Sequence, residues 1–185
     1  MVAIVTDVHY RMSLALIRDL AQAGVEVITC EQSRCRGSGT SPALGALSRY
    51  ASRHVWLEGP EALRDLCREI GLARDCRPAL LPVGAATLAM IAENRGDFDP
   101  LCGLCIPTAE QLDLLNSKPR LAALAAGLGV PLPESMAPGE DLDRFLDRQG
   151  LPCVVKPVCG EKLGLTAAAR YAVAATREEA REAWE

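Results

Sequence analysis

Aromatic residues are scarce in this sequence. Trp, Tyr and Phe together make up 4% of 185 residues, so a core has to be built from Leu, Ala, Val and Ile. Basic charge is short as well. Twenty Lys and Arg face 24 Asp and Glu, and the net charge of −4 argues against a nucleic-acid surface, which needs a basic excess. No apolar run reaches the roughly 18 residues that a membrane span needs. The N-terminus has no basic segment ahead of an apolar one, so Met1–Val5 reads as a first strand and the cytoplasm is the expected compartment. The turn after that strand, Asp7–Met12, lacks GxGxxG, which removes the main support for a dinucleotide-dependent hydride transfer. Histidines are only two, His9 and His54, both far in sequence from the one CxxC, Cys102-Gly-Leu-Cys105. A zinc site there would need a second pair or histidines at ligand spacing. Eight cysteines would suit a disulfide framework only in a short secreted chain. Here several lie in apolar runs and read as small hydrophobes.

What is present is a hydrophobic fraction of 49%, ample for a core, arranged as an alternation of strand and helix patterns. Val2–Thr6 is strand-like. Leu14, Ile17, Leu20 and Ala21 make a helical face, with Ser13 as its expected cap and Gly24 as its end. Val25–Cys30 is a second strand, and Gln32–Ser41, with Arg34 and Arg36, is a polar loop. His54–Leu57 is a third strand. Pro60 opens a helix that Gly71 is expected to end. Ala79–Val83, a helix over 86–94 closed by Gly96, and Gly103–Ile106 complete five strands. Such alternation predicts a parallel sheet covered by helices, with ligands beyond the carboxyl ends of its strands. Thr6, Asp7, Glu31, Gly84 and Thr108 lie at those ends, where each taken singly also suits ordinary turn chemistry.

Two lysines then stand out. Ser117 is placed to cap a helix whose face is Leu121, Leu124, Ala125 and Leu128, and this puts Lys118 at the helix N-terminus. The macrodipole is already positive there, so a lysine is unfavourable unless an anion shares the site. Further on, Cys153-Val154-Val155 reads as a buried strand. Lys156 interrupts it, Pro157 biases Lys156 towards an extended conformation, and a loop follows with Gly160, Lys162 and Gly164. An ammonium at a strand end needs an anion, and a glycine loop lets backbone N–H groups approach one closely. A phosphate site for a nucleotide is the functional reading. A lysine snorkelling from a strand edge is the plain one.

Three features occur in order: Asn116-Ser117-Lys118 before a helix, Val130-Pro131-Leu132-Pro133-Glu134-Ser135 after it, and Val154-Val155-Lys156-Pro157 before a glycine loop. With the five-stranded front half, the chain resembles the start of an ATP-grasp protein. It is most similar to the carboxylate–amine ligases related to carbamoyl phosphate synthetase and biotin carboxylase. The resemblance implies an α/β fold, with a Rossmann-like parallel sheet over residues 1–115 as the pre-ATP-grasp domain. The start of an ATP-grasp α+β subdomain, incomplete, would follow over 116–185. It implies ATP and Mg2+ as cofactors, the metal ligands being expected beyond residue 185. Small carboxylate and amine substrates are the implied partners, with no nucleic acid and no membrane, and a homo-oligomer is left open. By this resemblance Lys118, Lys156, Gly160, Lys162 and Gly164 are the candidate nucleotide-binding residues. No catalytic residue is assigned.

The glycine loop departs from the family pattern. Cys159 stands where a serine often occurs, and Glu161 and Lys162 separate the glycines. The implied reaction is activation of a carboxylate as an acylphosphate, followed by attack of an amine to form a carbon–nitrogen bond. The helix after Thr176 meets no end signal before Glu185, so the chain is expected to be the front part of a longer protein and inactive alone. The segment Cys159–Thr166 is expected to move in the absence of nucleotide. Two other readings are a non-catalytic nucleotide- or ligand-binding module and a zinc or redox protein built on Cys102 and Cys105.

Overall fold

The computed structural model describes residues 1–33, 43–136, 139–156 and 171–184. The chain forms two compact units, Met1–Glu110 and Gln111–Glu185. The first is a five-stranded parallel sheet in the order β3-β2-β1-β4-β5. Its strands are β1 (Val2–Val5), β2 (Glu26–Gln32), β3 (Arg53–Leu57), β4 (Ala79–Leu81) and β5 (Gly103–Leu104). β1 is central and buried at every residue, with Ile4 opposite Ile28 on one side and Leu80 on the other.

Side chains of β1 and β2 alternate between two cores, as the two-residue period of a strand requires. Val2, Ile4, Ile28 and Cys30 pack with Leu63, Leu66, Cys67 and Ile70 of α2 (Pro60–Arg74). Ile91 of α3 (Ala85–Glu93) and Phe98, at the end of α4 (Arg95–Phe98), join them. Val5 and Val27 point the other way, onto Ile17 of α1 (Arg11–Gln22). Each fully buried Ile or Leu contributes about 1.5–3 kcal/mol, so these two layers hold the unit together. The chain runs outward from β1 to β2 and β3, then crosses to β4 on the far side of β1. The order thus reverses between β1 and β4, the arrangement that opens a crevice at the carboxyl ends.

Several local expectations are corrected. Ser13 is not the cap of α1. Tyr10 holds that position, and the Ser13 hydroxyl is buried, donating to the Asp7 carbonyl at 2.8 Å. Gly24, at φ 76°, does follow the helix end. α2 runs through Gly71 and stops at Asp75, which is left-handed at φ 45°. Gly71 serves instead for close approach, since a Cβ there would lie 3.2 Å from the Cys76 carbonyl. α3 ends at Asn94, and Gly96 lies inside α4.

The second unit holds the end of α5 (Ala109–Asn116), α6 (Lys118–Gly127), α7 (Leu142–Gln149), an antiparallel pair β6 (Cys153–Val155) and β7 (Ala172–Ala174), and α8 (Arg177–Trp184). Among the described residues its core cluster is Leu146, Ala174 and Ala180, flanked by Leu142, Phe145 and Cys153. The Thr176–Glu179 capping box forms in full. Glu179 accepts from the Ala175 and Thr176 amides at 2.7 and 3.1 Å, and its own amide donates to the Thr176 hydroxyl at 3.2 Å. Asp143 and Asp147 of α7 pair with Arg177 and Arg181 of α8. Two expected burials do not occur. α6 has no buried residue, and β6 has its middle residue, Val154, 54% exposed.

Two expectations follow. Gly45, in a 3-10 turn over Leu44–Leu47, would place a Cβ 2.6 Å from the Val8 Cβ and 3.0 Å from Ile17 Cδ1. Gly45→Ala should therefore cost roughly 1–3 kcal/mol in urea unfolding. Gly96→Ala, with nothing within 4 Å of its Cβ, should gain about 0.4–1 kcal/mol. Wild-type stability in the Gly45 variant would refute this packing. The second concerns His54, whose Nδ1 lies 2.9 Å from the Thr29 hydroxyl and whose pKa is lowered by burial against the opposing pull of Glu31. The unfolded chain binds this proton more readily, so stability should fall as pH drops below the ordinary histidine value of about 6.5. Urea midpoints between about pH 7.5 and 5.5 should drop less in His54→Phe than in wild type.

Candidate functional site

Val155 ends β6, and Lys156 follows at once with its side chain exposed. In the hairpin, Val154 stands opposite Val173, and Cys153 opposite Ala174. Ala174 is buried and Cys153 half-buried in the core formed with α7 and α8. Val154 and Val173 lie on the other face and stay exposed, at 54% and 60%, as does Tyr171. Lys156 is two residues past Val154, and Tyr171 two before Val173, the spacing at which side chains of an extended chain share a face. The result is an apolar surface with an ammonium at its end.

Lys118 is the first residue of α6. Ser117 occupies the N-cap position as expected, but its side chain makes no capping bond, and the first turn holds no acidic residue. Both lysines thus belong to the second unit, one at a helix start and one at a strand end. Gly160, Lys162 and Gly164, with the whole of Cys159–Thr166, lie outside the described residues, as do Arg34 and Arg36.

The first unit gathers polar groups at the carboxyl ends of β1, β2 and β4. Asp7 is buried and left-handed, at φ 55°. Its carboxylate accepts from the Gly84 amide at 2.9 Å, from the Thr87 hydroxyl at 2.7 Å, and from the Thr6 hydroxyl. A Cβ on Gly84 would lie 2.7 Å from that carboxyl group, so only glycine fits there. Glu31, also buried, accepts from the Gln32 amide at 2.9 Å and from the His9 amide at 3.2 Å. Its Oε2 also lies 2.6 Å from His9 Nδ1. A carboxylate only accepts, so Nδ1 of this partly exposed ring carries the hydrogen of that bond. The strand-end rule located Asp7, Glu31 and Gly84 in the sequence. His9 and Thr87 were missed, because nothing local ties them to carboxylates on other elements.

The CxxC divides between environments. Cys102 is buried, its thiol donating to the Phe98 carbonyl at 3.4 Å, while Cys105 is exposed. Among the described residues no three His, Cys, Asp or Glu side chains are grouped to hold a metal, and no helix is long and apolar enough to cross a membrane.

No family model and no curated protein matches this sequence. Among solved structures it is similar to the biotin carboxylase domain of the 2-oxoglutarate carboxylase of Hydrogenobacter thermophilus. That structure is a domain dimer in complex with MgADP, ADP and bicarbonate. The TM-score is 0.57 at 15% identity, and the match covers 97% of this chain and 39% of that one. The likeness is one of fold. The chain has the α/β fold of the N-terminal portion of that biotin carboxylase domain.

The Asp7 cluster yields a test. Asp7→Ala removes three acceptor bonds and puts a Cβ residue without local polar support at positive φ, and should cost on the order of 3 kcal/mol. Asp7→Asn keeps a carbonyl oxygen and tolerates the left-handed region, so it should cost well under half of that. Equal losses for the two variants in urea unfolding would show that the carboxylate does not hold this corner.

Proposed function

We propose that this chain is the N-terminal portion of an ATP-dependent carbon–nitrogen ligase of the ATP-grasp type, activating a carboxylate as an acylphosphate for attack by an amine. In this reading residues 1–115 form the pre-ATP-grasp domain and 116–185 begin the first ATP-grasp subdomain. The observation that carries it is the placement of Lys156 at the end of the exposed apolar face of the β6–β7 hairpin. A nucleotide offers a flat base and a chain of phosphates. Val154, Val173 and Tyr171 suit the base, and the Lys156 ammonium suits the phosphates. Lys118, at the start of α6, brings a second cation to a helix N-terminus, the backbone feature that favours phosphate. The fold match supports the reading, because the solved domain contains MgADP.

Phosphoryl transfer needs positioned cations more than covalent side-chain chemistry, and these lysines supply positioning and charge. Gly160, Lys162 and Gly164 extend the proposal as the loop that closes over the phosphates. Magnesium, when bound with the nucleotide, would offset phosphate charge, and no residue of this chain is assigned to it. The solved domain is in complex with bicarbonate. The carboxylate used by this protein is kept general in the proposal.

Lys156→Met tests the proposal. Methionine retains the packing of the stem but removes the charge. Loss of a charge-assisted hydrogen bond costs about 1.5–3 kcal/mol, or roughly tenfold to a hundredfold in ATP affinity by calorimetric titration of the intact protein. Thermal stability without ATP should hold or rise. Unchanged ATP affinity together with a lower melting temperature would make Lys156 a structural ion-pair partner and remove the nucleotide role.

A further inference from the structure

We infer that Cys67 and Cys102 are a redox-sensitive pair, poised to close a disulfide between α2 and the entry to β5. Both thiols are free, and both side chains are buried in the larger core of the first unit. The backbones that carry them run close together. Gly71 lies one turn beyond Cys67 on the same face of α2. A Cβ on Gly71 would sit 3.9 Å from the carbonyl oxygen of Leu101, the residue before Cys102. Cysteine is short, so two of them meet only where helix and strand approach this closely. Here they do meet. Cys67 donates to the Cys102 sulfur, and Cys102 donates in turn to the Phe98 carbonyl at 3.4 Å.

The pair is asymmetric, as a reactive dithiol has to be. The bond from Cys67 makes Cys102 the easier thiol to ionise, against the opposing effect of burial, and the Arg77 guanidinium helps. Arg77 is fixed beside it, donating to the Cys102 carbonyl at 2.9 Å. Cys67 shifts the other way, because ionising it would break the bond it donates, and burial adds to this. A thiolate is the nucleophile, so Cys102 attacks and Cys67 resolves. Cys30 belongs to the same core, but its thiol is turned to the Val5 carbonyl at 3.8 Å, and burial pushes its pKa up. Access comes from the end of the sheet. β5 is two residues long and last in the strand order, and Asp99, Pro100 and Gly103 around Cys102 are exposed. Short elements of this kind open locally at low cost.

The oxidant is a small peroxide, the class that a briefly opened core admits. Ionised Cys102 displaces one oxygen of hydrogen peroxide and becomes a sulfenic acid. The hydroxide released takes up the proton that Cys102 gave away. The Cys67 sulfur then attacks the sulfenic sulfur and loses its proton, the S–O bond breaks, and water leaves. Two thiols and one peroxide become one disulfide and two waters, with two electrons passing from sulfur to peroxide. The product encloses the end of α2, β4, α3 and α4 in a covalent loop, which restricts the unfolded chain. A dithiol reverses it by thiol–disulfide exchange. None of this depends on the nucleotide role proposed for Lys156.

The test treats the intact, folded protein with hydrogen peroxide, without nucleotide, blocks the remaining thiols and maps the peptides by mass spectrometry. The expected result is a Cys67–Cys102 cross-link that dithiothreitol removes. The urea midpoint should rise on the order of 1 M above that of the reduced protein. Cys67→Ala leaves Cys102 without a resolving partner and should abolish that rise. The wild-type map needs no variant to fold. A cross-link through Cys30, Cys76 or Cys105 instead would overturn the proposal. So would survival of both thiols while the exposed Cys105 is consumed, a midpoint that the cross-link does not raise, or a rise that persists in Cys67→Ala.

Discussion

The carboxylate of Asp7 is the constraint on which the strand-end geometry of the first unit depends. It leaves β1 in a left-handed turn and takes hydrogen bonds from both the start of α3 and the Thr6 hydroxyl. The turn's own carbonyl receives the Ser13 hydroxyl from inside α1. One residue thus ties the central strand to a helix on each face of the sheet. Its demands spread outward. Gly84 must lack a Cβ, Thr87 must turn its hydroxyl inward, and Ser13 must sit inside its helix rather than cap it. A negative charge this far from water is tolerable because the amide end of α3 faces it.

The second unit is stabilised differently. Among the described residues, its core cluster has three buried side chains, two of them alanines, which supply little apolar energy. Ion pairs between α7 and α8 add to this. Asp143 is shared by Arg177 and Arg181, and Asp147 also takes Arg177. The arginines hold the Asp143 carboxyl below the usual carboxylate range, Arg181 most of all. Exposed pairs of this kind are individually weak, and a network sharing partners does better than isolated ones. Meanwhile the apolar residues of α6 and of the outer hairpin face remain in contact with water.

Most of the fold was legible from periodicity, because parallel strands buried on both faces and helices with one apolar stripe leave distinct patterns. Single glycines were less legible. Gly71 and Gly96 look like helix ends, yet one serves close packing and the other lies in a short helix, while the αL position falls to Asp75. The β-branched run at Cys153–Val155 spoke for a strand but could not say which face a neighbour covers. The place of Lys156 at a strand end was legible because a lysine between valines and a proline is a local anomaly. The pairing of His9 with Glu31 and of Thr87 with Asp7 was not, since each joins residues that only the folded sheet brings together.

The position of β1 has a consequence for the chain as it is made. β1 is synthesised before the other four strands of its sheet and is also the central one, and Ile4 finds its second partner only when Leu80 arrives. Until then a growing chain can pair β1 with β2 alone, leaving an edge of unbroken apolar residues, Val2-Ala3-Ile4-Val5, open to any passing strand. The nascent polypeptide is therefore most prone to sticking between completion of β2 and emergence of β4. The acidic corner at Asp7 closes only after that interval, when Gly84 and Thr87 reach it.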